Sequence, residues 1–124
     1  MYIVRVETDF AAAHFLSHYH GKCENLHGHN YRVRIFAQGE TLDEGGMLID
    51  FGVLKGALKD VITRLDHTNL NDNPFFNGDP SAERIANFIF SGVESELTKK
   101  NVDATILNAV EVFETHTNMA RFQR

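Results

Sequence analysis

Residues 2 to 10 alternate, with Tyr2, Val4 and Val6 on one side and Ile3, Arg5 and Glu7 on the other, the two-residue period of a half-buried strand. Tyr31, Val33 and Ile35 against Arg32 and Arg34 predict a second strand of the same kind. Between them, Ser17 to Leu26 follows neither the strand nor the helix period, and a polar connection of that length in a compact domain is often functional. Gly45-Gly46 marks a turn before the short apolar run Met47 to Ile49. Behind Asp50, the recurrence of Val53, Leu54, Ala57, Leu58, Val61, Ile62 and Leu65 predicts a helix of about three turns that ends near Asp66. Asn69 to Asp79 is dense in Asn, Asp, Gly and Pro and reads as a loop. A second helix follows, capped by Asp79 or Ser81, with Pro80 at or before its first turn. Its apolar face carries Ala82, Ile85, Ile89, Val93 and Leu97, and Lys99 and Lys100 suit its C-terminal end. Two more strand-like runs, Ala104 to Phe113 and Met119 to Phe122, flank the polar Thr115 to Asn118.

The order β, β, α, α, β, β predicts an α+β domain, a mostly antiparallel sheet covered on one face, with the other face left to a partner or to solvent. The 124 residues, 43% of them hydrophobic, suit a single domain over 1–124 with one core, and 23% charged residues argue against disorder. Against 17 Asp and Glu stand 12 Lys and Arg, so a net charge of -5 offers nucleic acid or an anionic membrane no general attraction. Any anionic ligand must be held locally. A single cysteine excludes an internal disulfide. The segment MYIVRVETDF lacks the apolar block of a signal peptide and no window approaches a membrane span, so the expectation is a soluble, cytoplasmic protein.

Three of the 7 histidines are informative by position. His27-Gly28-His29 sets two imidazoles at i and i+2, which a strand points to one face, and Gly28 between them permits a close approach. His14, at the end of the first strand, lies opposite if the two strands form a hairpin. Three convergent nitrogens resemble a catalytic zinc site with one open position. Loop histidines that merely face solvent are the alternative, and His18, His20 and His116 fit that description better, although His18 or His20 could help hold an anion. Cys23, in the polar run Lys22-Cys23-Glu24-Asn25, could be a fourth ligand, a base or nucleophile, or a buried filler. Asp66-His67 is either helix-end chemistry or an orienter with its proton carrier. Glu111 and Glu114 are three apart on a strand and face opposite sides; charge on a strand is usually only solvation, and the alternative is that one of the two is buried and accepts a paired N–H donor set such as a guanidine-like ring edge.

Six segments in order resemble the family of 6-pyruvoyl-tetrahydropterin and 6-carboxytetrahydropterin synthases: Phe10-Ala11-Ala12-Ala13-His14, Cys23 through Tyr31, Gly46 through Phe51, Leu65-Asp66-His67 with Leu70-Asn71, Pro80-Ser81-Ala82-Glu83, and Val112-Phe113-Glu114-Thr115. The resemblance spans essentially the whole chain. It implies a tunnelling-fold subunit, a four-stranded antiparallel sheet carrying two helices, with subunits joining their sheets into a barrel, a hexamer of two trimers. It matches His14, His27 and His29 to zinc ligands, Cys23 to the catalytic base, Asp66 and His67 to the proton relay, and Glu114, beside Thr115, to the carboxylate that anchors the pterin. The implied substrate is 7,8-dihydroneopterin triphosphate, whose side-chain oxygens zinc would acidify. Elimination of triphosphate with internal redox would give the pyruvoyl product; loss of acetaldehyde would give the carboxy product on the route to 7-deazaguanine nucleosides such as queuosine. The three residues between Cys23 and His27 are similar to the bacterial carboxy enzymes, which favours that reaction. Pro80-Ser81-Ala82-Glu83-Arg84 departs from the family's usual Thr and Asn at its second and fifth places, at a helix start. Ser17, His18 and Lys22 are candidates for the triphosphate. A catalytically silent zinc-binding barrel and a cysteine hydrolase using Cys23 and His67 are the competing readings, the latter without a recognisable nucleophile turn.

Overall fold

The structure is a computed structural model that describes all residues except Tyr19, His20, Lys22 and Cys23. Alternation sustains β1 from Tyr2 to His14 and β2 from His27 to Gly39, which pair antiparallel along their whole length, Tyr2 opposite Gly39 and His14 opposite His27. Both strands are longer than the alternating cores that announce them. Ala11 to Ala13 and Gly28 are too small to show a period, and the cross-strand ladder carries them along.

Asp50 caps α1, Phe51–Ile62, its carboxylate accepting from the Gly52 N–H at 2.6 Å, and Leu54, Ala57, Leu58, Val61 and Ile62 form the buried stripe. Turns carry the chain from there to Asp66, so the helix stops short of the end predicted for it. Ser81, one of the two predicted caps, accepts from the Arg84 N–H at 3.2 Å and starts α2, Ala82–Lys99, buried through Ile85, Ile89, Val93 and Leu97. The helices cross closely at Gly92, where a Cβ would meet Val61 at 2.9 Å.

The last two strands are β4, Leu107–Phe113, and β5, Met119–Gln123; Ala104–Ile106, read as strand from sequence, is a 3-10 turn held by Asp103. One expectation is corrected outright. A short strand β3, Thr68–Asn69, pairs parallel to β1 at Ala12 and Ala13, so among the described residues the sheet is mixed and has five strands, not four, in the order β3-β1-β2-β4-β5. Two residues are too few to show a period, and a left-handed turn at His67 lays them against the edge of β1.

Val6, Phe10, Ala12, Tyr31, Val33, Ile35, Val110 and Val112 meet the two helices in one core. The opposite face carries a row of alternating charge across four strands, Glu7, Arg34, Glu111 and Arg121, register neighbours in that order. Arg34 donates to Glu7 at 2.9 Å and Arg121 to Glu111 at 2.7 Å, and their guanidinium groups lie 4.7 Å over the rings of Phe113 and Phe36. No helix among the described residues is long and apolar enough to cross a membrane.

Candidate active site

The helix-facing alternation of β1 and β2 continues past the core to the end of the sheet, where its last members are His14, His27 and His29 in place of aliphatic residues. His14 faces His27 directly across the pair, and His29 is two residues along the same face. Their ring centroids stand 4.5, 5.0 and 4.8 Å apart, and one ligand atom from each lies within 4.8 Å of the others.

The hydrogen bonds set the tautomers. His14 donates from Nδ1 to the Pro80 carbonyl at 2.8 Å, and His27 from Nδ1 to the Asn25 carbonyl at 2.6 Å, so each ring holds the lone pair of Nε2 for the cluster. The Nε2 atoms of His14 and His29 are buried and have no hydrogen-bond partner among the described residues. Burial holds the His29 pKa below the usual histidine value, with Glu114 opposing and the two neighbouring histidines adding to the effect. Three imidazoles that each turn one ring nitrogen to a common point offer what a divalent metal requires, and the donor set suits zinc. Tyr31, stacked on Phe10 at 4.7 Å and edge-on to His14 and His29, closes the inner side; burial pushes its phenol pKa up, and the Glu114 charge pushes the same way.

A cleft of about 1000 Å³ opens beside the cluster, lined by His29, Asp66, His67, Glu114, Thr115 and His116 among others. Asp66 and His67, adjacent in sequence, touch: His67 Nδ1 is 3.0 Å from Asp66 Oδ2. Asp66 is fixed by accepting the Ala11 N–H at 3.0 Å, and His67 donates its own N–H to the Ala11 carbonyl at 2.6 Å. The Ala11 amide first, and then His67, lower the Asp66 pKa, so the carboxylate stays charged. His67 has φ 59, a left-handed conformation uncommon for a residue with a Cβ, and its side chain is 82% exposed.

Glu114 follows the last residue of β4, on the histidine side of the sheet, with Oε2 3.7 Å from His29 Nε2. Glu111 faces the other way, buried against Arg121, so the two carboxylates do occupy opposite faces. The Thr115 hydroxyl accepts from the N–H groups of Thr117 and Asn118 at 3.3 and 3.2 Å and shapes the turn that presents Glu114. Of the residues considered for the triphosphate, Ser17 and His18 both turn to Asp79: Ser17 donates from N–H at 2.7 Å and from its hydroxyl at 2.8 Å, and His18 Nδ1 lies 2.5 Å away. Lys22, His20 and the proposed base Cys23 lie outside the described residues. Asn71, which bonds the Phe15 backbone, and Asp79, which bonds Ser17, belong to the frame of the site, a role that no local pattern in the sequence announces.

Residues 3–124 match the family model described as 6-pyruvoyl tetrahydropterin synthase. The chain is 39% identical over 127 residues to a 6-carboxy-5,6,7,8-tetrahydropterin synthase of Synechocystis, covering 98% of this chain and 93% of that one. It is 36% identical over 108 residues to a 6-pyruvoyl tetrahydrobiopterin synthase of Drosophila melanogaster, covering 83% and 62%. The solved Caenorhabditis elegans 6-pyruvoyl tetrahydropterin synthase superposes with a TM-score of 0.85 at 29% identity, covering 100% of this chain and 97% of that one.

Proposed function

Since the chain belongs to the 6-pyruvoyl tetrahydropterin synthase family, we propose that it is a zinc-dependent lyase that converts 7,8-dihydroneopterin triphosphate and one water into 6-carboxy-5,6,7,8-tetrahydropterin, acetaldehyde and triphosphate. The observation that carries this reading is the convergence of His14, His27 and His29 beside the cleft that also holds the Asp66–His67 pair and Glu114.

His14, His27 and His29 would hold the metal, which supplies Lewis-acid chemistry at the substrate's side-chain oxygens. Asp66, anchored to the backbone of β1, fixes His67 through Nδ1 and leaves Nε2 to carry a proton to or from the substrate side chain. Cys23 is the second acid-base group on the strength of its place in the motif. Glu114 accepts the paired ring N–H and exocyclic amino donors of the pterin, which sets the side chain toward the histidines. The carboxy outcome is favoured by the three-residue spacing between Cys23 and His27 and by the 39% identical relative of that name. Its product would feed 7-deazaguanine nucleoside synthesis in the cytoplasm. The uncovered charged face, with sheet edges at β3 and β5, suits a barrel of subunits, a hexamer of two trimers.

Mass spectrometry after incubation with 7,8-dihydroneopterin triphosphate tests the reading. Acetaldehyde with carboxytetrahydropterin is expected; the pyruvoyl compound would replace the proposed product, and an unconsumed substrate with zinc bound would leave the silent-barrel reading standing.

A further inference from the structure

His14 is held on both sides by contacts distant in sequence. On its N-terminal side, Ala12 and Ala13 pair with Thr68 and Asn69 of β3. There β3 ends, and its chain turns into the 3-10 turn Leu70–Asp72. On the C-terminal side the ladder is continued by a side chain. Asn71 accepts the Phe15 N–H at 2.8 Å through Oδ1 and donates from Nδ2 to the Phe15 carbonyl at 2.9 Å. The amide thus stands in for the peptide group that a longer β3 would have presented.

The same Nδ2 donates at 3.0 Å to the carbonyl of Gly78, two residues before Pro80, whose own carbonyl receives the Nδ1 proton of His14. Asn71 therefore ties the backbone that carries the ligand to the loop that sets the ligand's tautomer. Asp79 reinforces the junction through Ser17, and Arg84 donates to the Phe76 carbonyl at 2.6 Å behind it.

Only one amide orientation satisfies this geometry, because an N–H must meet the oxygen and two carbonyls must meet the nitrogen. Aspartate of the same shape keeps the acceptor and turns its second oxygen on both carbonyls. Glutamine is a methylene too long for the same span.

We propose that Asn71 is a positioning residue of the metal centre: it fixes the His14 backbone relative to the Pro80 carbonyl, so that Nε2 is presented to the metal in one tautomer and one orientation. This rests on the reading of the three histidines as a zinc site. Groups that orient a ligand from behind typically control metal affinity 10- to 100-fold.

The test is zinc affinity, measured with Zn²⁺ alone against a chromophoric chelator, alongside the melting temperature of each zinc-free chain. Asn71→Ala should weaken zinc by roughly 10- to 100-fold. Asn71→Asp, which keeps the bond from the Phe15 N–H, carries the same measurement if the alanine variant does not fold, and should also bind zinc more weakly. Glu96→Ala, which removes the contacts to Arg64 and Lys99 at the far end of α2, should lower the melting temperature and leave zinc affinity unchanged. Asn71 variants that bind zinc as tightly as wild type, or a Glu96→Ala loss of affinity as large, would overturn the inference and leave the zinc site standing. A folded wild-type chain that takes up no zinc would overturn the zinc reading, and this inference with it.

Discussion

The two corners of the cleft are built on opposite principles. The histidine corner lies on paired strands, with His14 only 1% exposed, its ring placed by a full-length ladder and its Nδ1 tied to a backbone carbonyl. The Asp66–His67 corner lies on a turn after α1, its imidazole 82% exposed and its backbone in a left-handed conformation. A group that must hold a metal gains from rigidity and from staying neutral, and a group that must exchange protons gains from access and from a charged neighbour. Glu114 stands between the two, one residue past a strand and 3.7 Å from His29.

The sharpest way to break this contrast is at His67. His67→Asn keeps a residue that tolerates the left-handed conformation and removes the proposed proton carrier. Turnover is expected to fall by about 10²- to 10⁴-fold with zinc content and fold unchanged. Stopped-flow or steady-state rates on the zinc-loaded protein check it, and loss of zinc in this variant would erase the division of labour. A smaller effect is expected at Glu114, where Gln preserves size and converts one acceptor into a donor. A charge-assisted pair is worth roughly 1.5–3 kcal/mol, so pterin affinity should weaken by about 10- to 150-fold while zinc is retained. Calorimetry with a non-reacting pterin reads this directly.

The smallest effect concerns the clamp behind the histidine corner. The His18 and Ser17 side chains lower the Asp79 pKa from 3.8 to about 2. Between about pH 4 and 2 the native state binds fewer protons here than the unfolded chain, so the stability this group contributes is present above that window and is lost as pH falls through it. The melting temperature of wild type should fall more steeply over that window than that of Asp79→Asn.

The same contrast explains what could be read along the chain. The strand corner was legible because a period of two fixes which side chains share a face: His27 and His29 follow from their spacing alone, and His14 follows once β1 and β2 form a hairpin. Helix α2 was legible from Pro80, Ser81 and its apolar stripe. The frame behind the histidines was not. Asn71 meets Phe15, and Asp79 meets Ser17, across 56 and 62 residues. Such contacts depend on tertiary placement and leave no local signature. The strand β3 was hidden for a related reason, since its two residues pair only because His67 bends the chain back onto Ala12 and Ala13. Contact between Asp66 and His67 also needed the structure, because neighbours in sequence need not touch.

The central claim is that the strands hold the metal and the turn does not. Zinc content per chain, measured by elemental analysis on His29→Ala and His67→Asn purified side by side with wild type, tests it most directly. One zinc per chain in wild type and in His67→Asn, with none in His29→Ala, is the predicted result; stoichiometric zinc in His29→Ala would contradict it.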